Sequence, residues 1–384
     1  MPDLVLFQTE RDALYPFSLS RATYSIYYGY RTILSMIRHG LGSPFAAILP
    51  KRLVSYYRER ERNLVINPDK LTGDTLLINS AIRPLPGVLQ RLNELKNGQF
   101  IACNGNIAAA RLSSLSENSD FTVLTPNTLK SYGLEMLQAN DMMIQGPWEL
   151  IGQLRSGLEG KGVIYGTSVQ TEEYVHFDTS TGPILIADNV RIEAFSRIQG
   201  PAIIGKNTVL HSARVNGYTL IGENCRIGGE VEFSIISSYS NKAHFGYIGH
   251  SYVGEWVNMG AGSVTSDLKN SYGNVRVTMQ GKSLDTGMVK LGSFISDYAK
   301  ISINAMLYAG KKVGTASHVH GLLDGDAPAF VIYGKSLGMG VAELAIERAV
   351  EIARRMKSRR NLELSKGEED MLRACFEETK GERI

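Results

Sequence analysis

Residues 182–210 read GPILIADNVRIEAFSRIQGPAIIGKNTVL. Ile186, Ile192, Ile198, Ile204 and Leu210 fall six residues apart without slipping, a period that neither an α-helix nor an alternating strand produces. After a partial break Ile221 and Ile227 resume it, and Ile295, Ile301, Leu307 and Val313 restore it later in the chain. This is the spacing of a left-handed parallel β-helix. Each repeat sends one aliphatic side chain into a narrow core, the small residue after it lets the backbone turn, and each coil takes about three such corners. Between Ser266 and Val289 the pattern lapses, which predicts an excursion from the coil, and an interruption between regular coils is a place to look for function.

Within the coils, residues 241–270 read NKAHFGYIGHSYVGEWVNMGAGSVTSDLKN. Ile248-Gly249, Val253-Gly254 and Met259-Gly260 recur five or six residues apart, whereas His244 falls off that register and should point outward. Trp256 is expected to pack at a coil corner. His318 and His320 share a strand face, but no third ligand stands nearby, so no metal site is expected.

The chain before the coils alternates strand and helix signals. Strands are expected at Leu4-Val5-Leu6-Phe7 and at 46–49, 63–66, 75–78 and 100–102, with helices over 18–41, 87–95 and 128–140 and a short one from Gly146 to near Gly157. That alternation implies an α/β domain over 1–157, a connector over 158–181, the β-helix over 182–325 and a helical C-terminal segment over 326–384. In the last segment helices are expected at 341–357 and 362–375, and the basic run Arg354 to Arg360 reads as a solvated face.

Composition narrows the function classes. At 384 residues the chain exceeds one typical core, and 43% hydrophobic content can bury two. A formal charge of +3, from 41 basic and 38 acidic residues, gives no field that argues for nucleic acid or an anionic membrane, so small molecules or proteins are the expected partners. Cys103, Cys225 and Cys375 suggest neither a disulfide framework nor a thiolate zinc site. With no basic, apolar leader after Pro2-Asp3 and no apolar run of about 18 residues, a cytoplasmic protein is expected.

Three stretches carry a resemblance: LIADNVRIEAFSRIQGPAIIGKN (185–207), SNKAHFGYIGHSYVGEWVNMGAGSVTSDLKN (240–270) and KLGSFISDYAKISIN (290–304). They resemble the acetyltransferase half of the bifunctional N-acetylglucosamine-1-phosphate uridylyltransferase and glucosamine-1-phosphate acetyltransferase family. The divergent archaeal and Bacteroidetes-type branch is the most similar, with weaker likeness at LVLFQTERDALYPFSLSRA (4–22), GPWEL (146–150) and ERAVEIARRMKSRR (347–360). The resemblance implies a homotrimer that binds acetyl-CoA and an amino-sugar phosphate between neighbouring subunits. It makes His244 the general base that takes a proton as the sugar nitrogen attacks the thioester. Tyr247 matches a tyrosine that contacts the sugar phosphate, and Asn258 and Ala261 match positions lining the acceptor and coenzyme sites, with Gly262 beside Ala261 on the coenzyme side.

The chain also departs from that pattern. Asp267 and Leu268 stand where the family has asparagine and tyrosine, and Glu232 replaces a lysine that would hold phosphate. Lys242, Lys269 and Arg276 are the expected substitutes for the lost cation, and Arg214 lies near the family's phosphate-binding arginine. In the first domain Gln8-Thr9-Glu10-Arg11 replaces the glycine-rich phosphate loop, leaving Arg11, Arg21 and Lys51 as phosphate contacts or surface residues; Mg2+ is expected only if that domain is active. The favoured function is acetyl-CoA-dependent N-acetyl transfer to an amino-sugar 1-phosphate. A sugar-1-phosphate nucleotidylyltransferase with a structural β-helix, and a non-catalytic subunit that binds nucleotide sugar, stand as alternatives.

Overall fold

The computed structural model describes residues 2–10, 12–115 and 121–383, so Arg11 lies outside the described residues. Two compact units divide the chain: residues 1–27, 31–146 and 364–375 form one, and residues 28–30, 147–363 and 376–384 the other.

The first unit is built on a seven-stranded sheet. Its strands are β1 (Asp3–Phe7), β2 (Ala46–Ile48), β3 (Val65–Ile66), β4 (Leu71–Asn79), β5 (Gln99–Cys103), β6 (Asn106–Leu115) and β7 (Glu135–Ala139), in the order β3-β2-β1-β4-β6-β5-β7. β1 to β4 pair in parallel, and β6 runs antiparallel to both β4 and β5. Leu4 to Phe7 are buried on both faces, as a central strand of such a sheet requires. The region expected as one helix over 18–41 is instead a short helix (Phe17–Ser20), a 3-10 turn (Thr23–Ser25), a hairpin (Tyr27–Tyr28 with Arg31–Thr32) and a helix over Ile33–Leu41. Side chains compete for the backbone there: the Thr23 amide donates to Gln8 Oε1 at 2.8 Å and Ser25 Oγ donates to the Ala22 carbonyl at 2.7 Å. The helix expected over 128–140 stops at Ser131, because Gly133 takes φ +80° and the chain re-enters the sheet as β7.

In the second unit, parallel strands stack into coils with three faces. One face is an eight-stranded sheet from Val163–Tyr165 to Lys312–Val313. The other two belong to one sheet, because Val209–Val215 and Arg226–Glu232 run through the corner between them. Val163–Tyr165 pairs with Ile184–Ile186, so coiling begins inside the segment expected as a connector over 158–181. It continues to Val331–Gly334, which pairs in parallel with His318–Val319 and folds back antiparallel on Gly340–Glu343 before the helix Ile346–Ser358. The excursion expected after Ser266 is present as a hairpin of Arg276–Met279 with Lys282–Asp285.

The six-residue register supplies the core. Ile186, Ile192, Ile198, Ile204, Leu210, Ile221, Ile227, Ile295, Ile301, Leu307 and Val313 all lie in one buried cluster. Corners demand left-handed backbone, which Asn189, Asn207, Asn224 and Asn304 adopt with their short amide side chains. Aromatic residues adopt it too, and they stack between coils. Tyr239 lies on Trp256 at 4.4 Å between ring centres, and Tyr174 on Phe195 at 5.6 Å. Contacts of this kind offset part of the backbone cost.

Ile301→Ala, at a 2% exposed position in mid-stack, should destabilise the coils by about 2–5 kcal/mol, read from the denaturant midpoint. A loss under about 1 kcal/mol would mean that the stack collapses around the gap.

Candidate functional site

His244 lies on the turn between Asn241–Lys242 and Tyr247–Gly249, at the corner between two faces. Both His244 and Phe245 are exposed. Lys242 explains how an outward turn is held. It occupies the inward column of the coil, directly above Met259 and below Ile227, where neighbouring coils place aliphatic side chains. At 1% exposure its ammonium donates to the carbonyls of His244 and Phe245, the latter at 2.6 Å, and burial pulls its pKa down to about 8. The expectation that Lys242 meets the substrate is therefore corrected: its charge is spent inside the coil on the backbone that carries His244. One coil on, the Gly262 amide donates to the Phe245 carbonyl at 2.9 Å, and Ala261 and Gly262 are half-buried beside that turn. Gly262 takes φ +72°, and a Cβ there would displace Asn304 Oδ1, so glycine is favoured at this position. Asn258 is exposed on the adjoining face.

Along the strand from His244, the Tyr247 hydroxyl donates to Asp267 Oδ2 at 2.9 Å and lies 3.4 Å from Glu232 Oε2. Asp267 Oδ2 also accepts from Nδ1 of His250 at 2.7 Å. Burial works against the Asp267 charge, but these hydrogen bonds outweigh it and hold the carboxyl below its ordinary range. Burial, then the Asp267 carboxylate, pushes the Tyr247 phenol up, so it stays protonated. Glu232 reaches Lys290 at 3.9 Å. Asp267 and Glu232 thus do not stand alone: Asp267 is hydrogen-bonded by Tyr247 and His250, and Glu232 has Lys290 near it. Sequence reasoning passed over His250. Its position, at φ +46° and 4% exposed, shows only as one more residue in a corner ladder, Tyr218 on Phe233 at 5.1 Å and Phe233 on His250 at 4.7 Å.

Beside this cluster opens a cavity of about 430 Å3, lined by Arg197, Arg214, Asn216, Tyr218, Glu232 and Phe233 among others. Arg214 is held by Glu230 at 3.7 Å, and Arg197 by Asp178 at 2.8 Å, so both guanidiniums are positioned and partly exposed. The structure does not bring Lys269 and Arg276 to this cluster by any bond: Lys269 donates to the Asn274 carbonyl, and Arg276 to Ser283 of its own hairpin. Both brace the excursion. His320 Nδ1 bonds Ser302 Oγ at 2.8 Å, and burial, then Lys300, lowers His318 to about 4.

In the first unit, the strand order reverses between β1 and β4, and open α/β sheets bind ligands outside the carboxyl ends at such a point. Here the chain's own groups are bonded there. Gln8, fully buried, donates to the Ser18 carbonyl at 3.1 Å, and Asp12 takes Thr23 Oγ1 at 2.6 Å and the Leu14 amide at 2.8 Å. Arg52 donates to Glu10 at 2.6 Å and to the Leu19 carbonyl at 2.9 Å, and Ser80 to the Phe7 carbonyl. Burial raises the Asp12 pKa. Arg21 is buried and Lys51 exposed. Among the described residues no helix is long and apolar enough to cross a membrane.

Comparison with known proteins adds to this geometry. The sugar nucleotidyl transferase family matches residues 4–160. The chain is 29% identical over 150 residues to a bifunctional sugar-1-phosphate nucleotidylyltransferase/acetyltransferase of Sulfurisphaera tokodaii, covering 35% of this chain and 37% of that protein. It is 34% identical over 105 residues to the bifunctional protein GlmU of Methanocaldococcus jannaschii, covering 27% and 26%. The chain thus spans about a third of the length of the curated relatives it matches. Among solved structures it is similar to PerB from Caulobacter crescentus in complex with CoA and GDP-perosamine, at 10% identity and a TM-score of 0.18, covering 86% of this chain and 93% of that one.

Lys242 shares its burial with Lys300, whose ammonium donates to the carbonyls of Trp256, Tyr298 and Ala299 and whose pKa burial lowers to about 7. Both ordinarily titrate at 10.5, so between about pH 7 and 10.5 the unfolded chain binds more protons than the folded one. Stability contributed by these groups therefore rises with pH across that window and is lowest below it, where both are charged in either state. The double variant Lys242→Met, Lys300→Met should lose this rise, read as denaturant midpoints from pH 6 to 10 (about the span of the two shifts). Equal slopes for the variant and the natural chain would refute the placement of the two ammoniums.

Proposed function

We propose that the chain is a sugar-phosphate-modifying transferase of nucleotide-sugar biosynthesis, whose coils transfer an acetyl group from acetyl-CoA to the nitrogen of an amino-sugar 1-phosphate. The observation that carries this reading is the exposed His244 imidazole, set on a turn whose carbonyls Lys242 fixes, with Ala261 and Gly262 one coil away. In the proposed step the sugar nitrogen, as the free amine, forms a bond to the thioester carbonyl carbon while His244 takes one of its protons. The carbon–sulfur bond then breaks, the thiolate of coenzyme A leaves, and the proton on the imidazole can return to sulfur. Arg197 and Arg214 in the adjoining cavity supply charge for the phosphate. Similarity to the two archaeal bifunctional proteins supports the divergent branch.

The same reading makes the coil left-handed and the assembly a homotrimer, with acetyl-CoA and acceptor bound between subunits. We assign no nucleotidyl transfer to the first unit, because Gln8, Asp12 and Arg52 are bonded within the crevice where a nucleotide phosphate would lie. That assignment is checked with nucleoside triphosphate, sugar 1-phosphate and Mg2+. Pyrophosphate release is expected to be absent, and its appearance would favour a nucleotidylyltransferase whose coils are structural.

His244→Ala should lower the rate of coenzyme A release with glucosamine 1-phosphate by about 10²- to 10⁴-fold, while acetyl-CoA binding and sedimentation are unchanged. Retention of more than about a tenth of the rate would remove His244 from the role of base.

A further inference from the structure

The Tyr247 hydroxyl carries one proton and has two carboxylates as neighbours. Asp267 Oδ2, at 2.9 Å, is the nearer, and Glu232 Oε2, at 3.4 Å, competes for the same hydrogen. Asp267 is held ionised and the phenol is held neutral, so the proton stays directed at the Asp267 side. A phenol committed in this way can accept a hydrogen bond but has none left to donate. An anionic group brought to it would meet lone pairs and two carboxylates, whereas an ammonium or hydroxyl would meet acceptors.

We infer that His250 is a positioning residue for substrate selection: through Asp267 it fixes Tyr247 as a hydrogen-bond acceptor, so that the protonated amine of the acceptor sugar, and not its phosphate, is the group met at Tyr247. The inference rests on the proposed acetyl transfer and refines which part of the acceptor lies where. His250 is suited to the task by its place in the fold. Its ring is clamped face to face on Phe233, 4.7 Å away and 9° from parallel, and Arg155 lies over that same Phe233 ring at 4.9 Å. With the ring plane fixed, Nδ1 has one direction in which to donate, toward Asp267 at 2.7 Å. Phe233 and Glu232 line the cavity of about 430 Å3, so the cluster meets the space where an acceptor would sit. Arg197 and Arg214 line other parts of that cavity and remain for the anionic end. The charge reversal at Glu232 and Asp267, read against the resemblance as loss of phosphate contacts, becomes a preference for the opposite end of the same molecule.

The test separates this role from stacking alone. Calorimetry would compare glucosamine 1-phosphate with glucose 1-phosphate, which differ only in amine against hydroxyl, on the full chain in the presence of coenzyme A. The natural chain should favour the amine by about tenfold, the value of a charged hydrogen bond. His250→Phe keeps the ring stack and loses the N–H; it should bring that ratio to near one while leaving glucose 1-phosphate affinity within about threefold. His250→Gln loses the ring but keeps a donor, and should restore most of the preference, as a stacking role would not. Tyr247→Phe should match His250→Phe. In the pH profile of the ratio, Asp267, Glu232, Tyr247, His250, Lys290 and Arg155 are the titratable and charged groups of the cluster, and His250→Phe should shift the acid limb. If the natural chain shows the preference and His250→Phe keeps it while His250→Gln loses it, the inference is overturned and the acetyl-transfer reading stands. If the natural chain binds neither sugar and releases no coenzyme A, the reading itself fails and takes the inference with it.

Discussion

The structure depends on one constraint: each coil of the second unit must return to the same three corners while an aliphatic side chain fills the axis. Ile192, Leu210, Ile227, Lys242, Met259 and Ile301 are successive members of one inward column, joined by parallel register from coil to coil. Because each coil buries its core against its neighbours, local sequence can vary freely on the outer surface as long as that column is kept. The outer turns are then available for chemistry. His244 stands on such a turn, and the excursion after Ser266 interrupts the chain without breaking the stack, since Tyr252–Val253 pairs directly with Phe294–Ile295 across it.

Where the column admits a charge, the backbone must answer it. Lys242 replaces an aliphatic residue between Ile227 and Met259, and a buried ammonium without partners would cost several kcal/mol. Its partners are the carbonyls of His244 and Phe245, groups that leave the strand ladder because the chain turns outward there. The two departures from regularity thus satisfy each other. Lys300, half-buried in the outward register opposite Asn258, likewise donates to three carbonyls of the Trp256 and Tyr298 corners. Cations here hold irregular backbone in place, the turn that carries His244 included.

The sequence was most legible where a strict period operates. Ile186 to Leu210 and Ile295 to Val313 announced the coils, and every one of those residues lies in the core. The outward placement of His244 followed from the same register. Residues that act through pairing were not legible. Lys242 looked like a cation for the substrate because nothing in a linear reading distinguishes a side chain pointing inward from one pointing out when its type is polar. Asp267 looked like an uncompensated charge because its partner His250 lies on another coil position, 17 residues away, and becomes its neighbour only after the chain has gone once around. Helix boundaries failed for a different reason: at 18–41 the Gln8 and Ser25 side chains bind the backbone, and at 128–140 a single glycine reverses the chain, local choices that outweigh aliphatic spacing.

In the first unit the crevice beside the first strand is crossed by the chain's own hydrogen bonds. In a doubly wound sheet the carboxyl end of the first strand is where a turn of backbone amides would hold phosphate. After Phe7 the chain instead places Gln8, whose amide spans the Ser18 and Arg21 carbonyls on one side and the Thr23 amide on the other. Arg52, a cation of the kind that would hold phosphate, spends its donors on Glu10, Leu19 and Ser18. Freeing these groups for a nucleotide would break several buried hydrogen bonds, each costing about 1–3 kcal/mol if left unmade, more than a few phosphate contacts return. The polar inventory of a phosphate site is present, but it has been turned on the chain itself.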